Sequence, residues 1–152
     1  ESNEKDDKLL KELSTMAEQK ALAGFLSNRI AIDNYLQHFK TGLETRLKTI
    51  YQGFMQLKAA GMPIDCITPE AAIYLTVKID LQGKKRDNGS VLETQAAVTS
   101  YLLDEASLAL VPFYAFGAPA NSPWYRLSAR TCKMEEIPVF LQKLEKAIQK
   151  LH

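Results

Sequence analysis

Hydrophobic residues recur at three- and four-residue steps over the first sixty positions and predict two consecutive helices. The first covers about residues 7–25, and Asn28 and Arg29 interrupt the pattern after it. The second covers about residues 30–60, because Gly61 and Pro63 are typical of a helix C-terminus. Its apolar stripe favours a helix packed on a core, with a coiled-coil partner as the alternative. The stripe consists of Leu36, Phe39, Leu43, Leu47, Ile50, Phe54 and Leu57.

The period changes to two over residues 73–81, which predicts a strand with one buried face. Further along, Ser90 and Glu93 have the spacing of a capping box, and we expect them to open a third helix. Residues 108–111 then predict a short strand that ends at Pro112. The face expected to be buried on the third helix comprises Leu92, Gln95, Ala96, Thr99, Leu102, Leu103 and Ala106.

Residues 124–130 alternate again, so that Trp124, Arg126 and Ser128 share one face of a predicted strand. A last helix begins near Glu135, and its apolar stripe consists of Ile137, Phe140, Leu141, Leu144, Ala147, Ile148 and Leu151. The predicted order of elements is therefore ααβαββα. Helices that pack on a small, mostly antiparallel sheet make a two-layer α+β domain.

Composition limits the classes of function without choosing one. A chain of 152 residues with 46% hydrophobic residues suits a globular domain, and its net charge of +1 gives no electrostatic reason to bind nucleic acid. The basic run of residues 84–86 favours a solvated turn, with a polyanion contact as the alternative. No apolar run approaches the ~18 residues that a membrane span needs, so we expect neither nucleic-acid nor membrane partners.

The titratable residues also favour a cytoplasmic protein. Cys66 and Cys132 are far apart in the sequence, which favours two reduced thiols over a disulfide. Two histidines, His38 and the terminal His152, are too few for a histidine-rich metal site. The charged residues 1–8 lack the apolar segment of a signal peptide.

Three short segments, taken in order, resemble one protein family. They are Pro-Glu-Ala-Ala-Ile-Tyr at 69–74, Val-Pro-Phe-Tyr-Ala-Phe-Gly at 111–117 and Tyr-Arg-Leu-Ser at 125–128. They are similar to the P-x-G-A-F-Y, V-x-P-G-x-x-F-G and R-[LIV]-S segments in the carboxy-terminal small domain of fold-type I pyridoxal-phosphate aminotransferases. The match is to class I/II, the aspartate-aminotransferase-like group. Ala71 and Phe113 stand where that family usually has glycine.

The resemblance spans about residues 22–151, so we interpret 22–152 as the small domain and 1–21 as a charged helical segment. It implies amino-group transfer between an amino acid and a 2-oxo acid, with pyridoxal phosphate as cofactor and a homodimeric complete enzyme. In the family, the cofactor-bearing lysine usually follows a serine in a preceding large domain, and this chain has no Ser-Lys dipeptide. We therefore expect a domain of a longer polypeptide that is inactive alone and partners the large domain. The alternative is a non-catalytic interaction module with the same fold.

Arg126 is the candidate site residue. The resemblance implies that its guanidinium binds the α-carboxylate of the substrate, and a planar guanidinium matches a carboxylate with two parallel hydrogen bonds. The alternative is a surface arginine in a local ion pair. Tyr74 and Trp124 are candidates for the lining of the same cleft, or else packed aromatic residues. We expect no catalytic residue, no cofactor-binding residue and no metal ligand within this chain.

Overall fold

A computed structural model describes residues 2–130 and 132–152, with side chains from residue 15 onward. The described residues form four α-helices, four strands and one 3-10 helix. They are α1 (Ser2–Ser27), α2 (Arg29–Ala59), β1 (Ile64–Cys66), β2 (Tyr74–Ile79), α3 (Gln95–Ala106), β3 (Val111–Pro112), the 3-10 helix (Phe113–Phe116), β4 (Trp124–Ser128) and α4 (Glu136–Gln149).

The chain divides into two compact units, Glu1–Thr41 and Gly42–His152. The first contains α1 and the beginning of α2. Asn28 separates these helices as predicted, and its Oδ1 accepts a hydrogen bond from the Ala31 N–H at 3.1 Å, which caps α2. Phe39 is 37% exposed, so the predicted stripe of α2 is buried only in the second unit.

The second unit contains the hydrophobic core. Burial on α2 begins at Leu43 and continues to Leu57. The helix then ends with the predicted glycine: Gly61 has φ +86°, and the Met62 N–H donates to the Leu57 carbonyl at 3.2 Å. Further back along α2, a Cβ on Gly53 would collide with the Leu141 side chain of α4. The absence of a side chain there lets the two helices approach closely.

The four strands form an antiparallel sheet in the order β1-β2-β4-β3. Alternation along the strands gives the sheet two faces. We call the face that joins the core the inner face; β2 and β4 contribute Leu75, Val77, Ile79, Tyr125 and Leu127 to it. The opposite face, which carries Arg126, is the outer face. The predicted two-layer α+β architecture is confirmed, and β1 and the 3-10 helix are additions to the predicted order.

The predicted capping box at Ser90 and Glu93 is wrong. Helix α3 begins at Gln95, and the Thr94 side chain accepts the hydrogen bond from the Ala97 N–H at 3.1 Å. Ser90 instead donates its N–H and its hydroxyl to Asn88 Oδ1, at 3.0 and 2.7 Å. The reason is a tight turn over residues 86–90, which short polar side chains favour as readily as they favour helix caps.

Two predicted boundaries and one predicted face also change. The strand expected at 108–111 is only Val111–Pro112, although Leu108 and Leu110 are buried. The strand expected at 73–81 is Tyr74–Ile79. On α3 the buried residues are Gln95, Val98, Tyr101, Leu102 and Ala106, so Ala96 and Leu103 were wrongly placed on the buried face.

The last helix agrees with its predicted stripe. Ile137, Leu144, Ala147 and Ile148 are buried on α4. Among the residues whose structure is described, none of the helices has the length and hydropathy that a bilayer crossing requires.

Candidate functional site

Arg126 lies in the middle of β4, on the outer face of the sheet. The strand pairs on one side with β2, where Thr76 is the partner of Arg126, and on the other with β3, where the partner is Val111. Because directly paired residues share a face, the outer face brings residues of three strands beside the guanidinium. Tyr74 lies diagonally across from Arg126, within reach of a long side chain.

Two aromatic rings contact the Arg126 guanidinium. Its Cζ lies 4.4 Å from the centroid of the Tyr74 ring and 4.7 Å from that of the Phe116 ring. Both distances are within the range of attractive cation–π contacts. Tyr74 comes from β2, and Phe116 from the 3-10 helix that follows β3, so two separate segments meet at this side chain.

None of the described carboxylates neutralises the charge on Arg126. In the described part of the chain, no carboxylate lies within ion-pair distance of its guanidinium, although the side chain is only partly exposed. The other charged residues of the same face are paired: Asp65 of β1 binds Lys58 of α2 at 2.7 Å, and Lys78 of β2 binds Asp80 at 3.3 Å. The local ion pair that was the alternative for Arg126 is not formed with any described residue.

A buried polar network holds the strand that carries Arg126. The Tyr125 hydroxyl donates to Gln95 Oε1 in the core. Gln95 is 2% exposed and donates in turn to Gln82 Oε1 at 3.2 Å and to the Asn121 carbonyl at 3.3 Å. Burial raises the pKa of Tyr125, so the phenol stays protonated and keeps its donor role. The network ties β4 and the loop before it to the start of α3.

The three predicted site residues all lie on the outer face of the sheet, but only two of them contact each other. Tyr74 contacts Arg126, as described above. Trp124 lies two residues before Arg126 on β4 and is partly buried, and among the described residues it has no ring or cation partner. Phe116 was missed by the sequence reasoning. The aromatic run that follows β3 is the sequence signal that could have suggested it, whereas the pairing of Val111 with Arg126 is visible only in the structure.

A separate cavity opens on the helical side of the domain. It has a volume of about 690 Å³ and lies between the end of α3, the end of β4 and the first half of α4. Its lining includes Leu127 but not Arg126, Tyr74 or Trp124. Lys143 lies at this cavity and donates to Ser107 Oγ at 3.1 Å.

Neither the cysteines nor other side chains build a metal centre in the described residues. Cys66 and Cys132 are both free thiols. Burial is the main cause that raises the pKa of each of them, to about 12 for Cys66, so neither is poised as a thiolate nucleophile.

The family model for aminotransferase class I and II matches residues 12–144 of this chain. The chain belongs to the class I and II aminotransferase family. The match includes part of α1, all of α2 and the strand that carries Arg126. It also begins within residues 1–21, the segment that the sequence resemblance left out. The boundary predicted at residue 22 stays a prediction.

Curated aminotransferases match the chain over part of their length. An aspartate aminotransferase of Geobacillus stearothermophilus is 30% identical over 139 residues, which cover 91% of this chain and 30% of the relative. A probable aspartate/prephenate aminotransferase of Rickettsia conorii is 38% identical over 85 residues, 55% of this chain and 20% of the relative. The chain thus corresponds to between a fifth and a third of the length of these aminotransferases.

Solved aminotransferase structures share the fold. The aspartate aminotransferase from Rhizobium meliloti superposes with a TM-score of 0.64 at 27% identity, over 78% of this chain and 28% of that one. An aromatic aminotransferase from Pyrococcus horikoshii superposes with a TM-score of 0.63 over 84% of this chain and 30% of that one, and its 20% identity supports the fold alone.

Proposed function

We propose that this chain is the carboxy-terminal small domain of a longer pyridoxal-phosphate-dependent aminotransferase. The complete enzyme would transfer an amino group between an amino acid and a 2-oxo acid. The observation that carries the proposal is Arg126, a partly exposed cation without an ion pair among the described residues, on a face whose other charges are paired. Membership of the aminotransferase family supplies the kind of substrate that such a cation would bind.

Arg126 would bind the α-carboxylate of the substrate. A guanidinium stays charged at any working pH and offers two parallel N–H groups to a carboxylate, which sets the orientation of the substrate as well as its affinity. Held by its carboxylate, the substrate would present its α-carbon in a fixed direction. Closure of this domain over the bound substrate would exclude water from the reacting atoms.

The cofactor site of the complete enzyme would lie mainly outside this domain. Pyridoxal phosphate needs a lysine that can lose its proton, and burial is a common way to lower the pKa of a lysine. None of the described lysine side chains is buried. When bound, the cofactor supplies an electron sink for charge at the α-carbon. The large domain of the same polypeptide would hold it, and we expect the 152-residue chain alone to have no transaminase activity.

The complete enzyme would be a cytoplasmic homodimer that acts on free amino acids and 2-oxo acids. The two free cysteines of the described structure support a reducing compartment. Aspartate appears in the names of several relatives, but the pocket for the substrate side chain would be formed largely outside this domain. We therefore propose the class of reaction and leave the donor open.

The test is a kinetic comparison in the complete polypeptide, expressed with the sequence that the gene encodes upstream of this domain. Arg126→Ala should lower kcat/KM for the amino acid by an amount equivalent to about 2–5 kcal/mol, because the substrate carboxylate loses its partner. Arg130→Ala is the matched control, since Arg130 is exposed just beyond the end of β4, and it should leave kcat/KM within about twofold.

Two results would count against the proposal. An Arg126→Ala enzyme with unchanged kcat/KM would remove the carboxylate role. A gene that encodes no large domain and begins near Glu1 would favour the interaction module with the same fold.

A further inference from the structure

Two aromatic rings contact Arg126 and a third supports one of them, and we call Tyr74, Phe116 and Phe113 the aromatic bracket. The guanidinium lies over the rings of Tyr74 and Phe116, at 4.4 and 4.7 Å from Cζ to each centroid. The Phe113 ring meets the Phe116 ring edge to face, with centroids 6.3 Å apart and an angle of 88° between the planes. This geometry is the favourable one for two aromatic rings.

The bracket restricts a side chain that is otherwise free to move. An arginine has four rotatable side-chain bonds, and binding a ligand with a free arginine costs the entropy of ordering it. Rings that contact the flat faces of the guanidinium order it before the ligand arrives. They also leave its N–H groups, which point outward from the edge of the plane, available for a carboxylate.

Phe113 affects the guanidinium only indirectly. The Phe116 ring contacts the guanidinium, and Phe113 contacts the Phe116 ring. Phe116 is 57% exposed, so little of its surface is fixed by burial. Its edge-to-face contact with Phe113, in the same 3-10 helix, is the described ring contact that holds it in place. The two residues lie at the start and the end of that helix, and Phe113 stands at one of the two positions where the family usually has glycine.

We propose that Tyr74 and Phe116 are positioning residues that pre-order the Arg126 guanidinium for a carboxylate, and that Phe113 acts by holding the Phe116 ring. This inference rests on the proposed carboxylate role of Arg126. The ordering of the guanidinium is measurable in the 152-residue chain itself, without cofactor or substrate.

The first experiment follows the Arg126 Nε–Hε group by NMR in the 152-residue chain, with its signal assigned by Arg126→Lys. A proton over an aromatic face is shielded by the ring current. Tyr74→Leu and Phe116→Leu should each move the Hε signal downfield, and Phe113→Gly should move it in the same direction by less. Tyr74→Phe keeps the ring and should keep the shift.

Tyr114→Leu is the matched control. Tyr114 lies in the same 3-10 helix and is 38% exposed, and its ring is not one of the two over the guanidinium. Tyr114→Leu should leave the Arg126 Hε signal in place. Thermal unfolding of each variant checks separately that the domain stays folded. The proposal is overturned if the Hε signal stays unchanged in both Tyr74→Leu and Phe116→Leu, or if Tyr114→Leu moves it equally.

The second experiment measures steady-state kinetics of the same variants in the complete enzyme. Phe116→Leu and Tyr74→Leu should raise KM for the 2-oxo acid by roughly two- to thirtyfold, the range expected from cation–π contacts, and change kcat less. Tyr74→Phe should restore KM. Leucine variants with altered Hε shifts but wild-type KM would overturn the positioning role. If Arg126→Ala itself left kcat/KM unchanged, the proposed function would fail, and the NMR result would still decide whether the rings order the guanidinium.

Discussion

The two faces of the sheet differ in burial and in charge, although the same strands form both. On the inner face, Leu75, Val77 and Tyr125 are at most 1% exposed and contribute to one hydrophobic core. On the outer face, Tyr74 is 39% exposed, and Arg126 is held by ring contacts without a carboxylate among the described residues. The inner face stabilises the fold, and the outer face carries a charge that suits a ligand from outside the domain.

The largest expected effect is on the free energy of unfolding, and it should differ between substitutions at two neighbouring positions of β2. Leu75→Ala removes a fully buried side chain and should lower the free energy of unfolding by about 2–5 kcal/mol. Thr76→Ala, on the outer face, should cost about 1 kcal/mol or less. Urea unfolding of the two variants measures both values. Equal losses at the two positions would contradict the division between the faces.

A second prediction uses the pH dependence of Cys66, an inner-face residue of β1. Burial raises the pKa of this thiol from its ordinary value near 9 to about 12 in the folded protein. The unfolded chain therefore loses its proton first, and stability should fall as the pH rises above about 8.5. Below that pH both states hold the proton, and the thiol makes no pH-dependent contribution.

Urea unfolding at pH 7, 8.5 and 10 checks this prediction. The wild-type chain should lose about 1–2 kcal/mol more than Cys66→Ala between pH 8.5 and 10. Cys132→Ala is the comparison, because Cys132 is more exposed and should account for a smaller part of the loss. If Cys66→Ala kept the full wild-type slope, Cys66 would not be protected by the inner face.

The smallest expected effect on the free energy of unfolding is that of the ion pair between Asp65 of the outer face and Lys58 of α2. The hydrogen bond from Lys58 is the main cause that lowers the pKa of Asp65, and the N–H of Cys66 adds to it. Because the folded-state pKa is depressed, the pair contributes stability above the ordinary carboxyl pKa near 4, and this is lost as the pH falls through the folded value.

Asp65→Asn should cost less than about 1 kcal/mol at pH 7, since the pair is partly solvent-exposed. The difference from wild type should shrink when unfolding is measured near pH 2 and when salt screens the pair. A difference that stays constant with pH would show that the substitution acts through packing rather than charge.

Much of the fold followed from periodicity, because burial and side-chain spacing are locally encoded. The alternation around Arg126 predicted which face of β4 it occupies, and the stripe of α4 predicted its buried residues. The start of α3 could not be predicted in this way. Ser90 and Thr94 can both cap a helix, and the choice depended on the turn that Asn88 stabilises.

The candidate site was harder to predict from the sequence than the fold. The sequence placed Arg126 on a face and suggested Tyr74, but the contact with Phe116 depends on the pairing of β3 with β4. Strand β1 has only three residues, too few for alternation to be recognised between Pro63 and Pro69. Features that arise from non-local pairing of short segments therefore needed the structure.

The proposed binding of the substrate α-carboxylate by Arg126 can be measured by comparing an amino acid with the amine that lacks this carboxylate. In the complete enzyme, the ratio of kcat/KM for an amino acid to kcat/KM for the amine that lacks its α-carboxylate measures the contribution of that group. Arg126→Ala should reduce this ratio by at least about thirtyfold, equivalent to 2 kcal/mol or more, mainly by slowing the amino acid reaction. If Arg126→Ala left the ratio at its wild-type value, Arg126 would not bind the α-carboxylate.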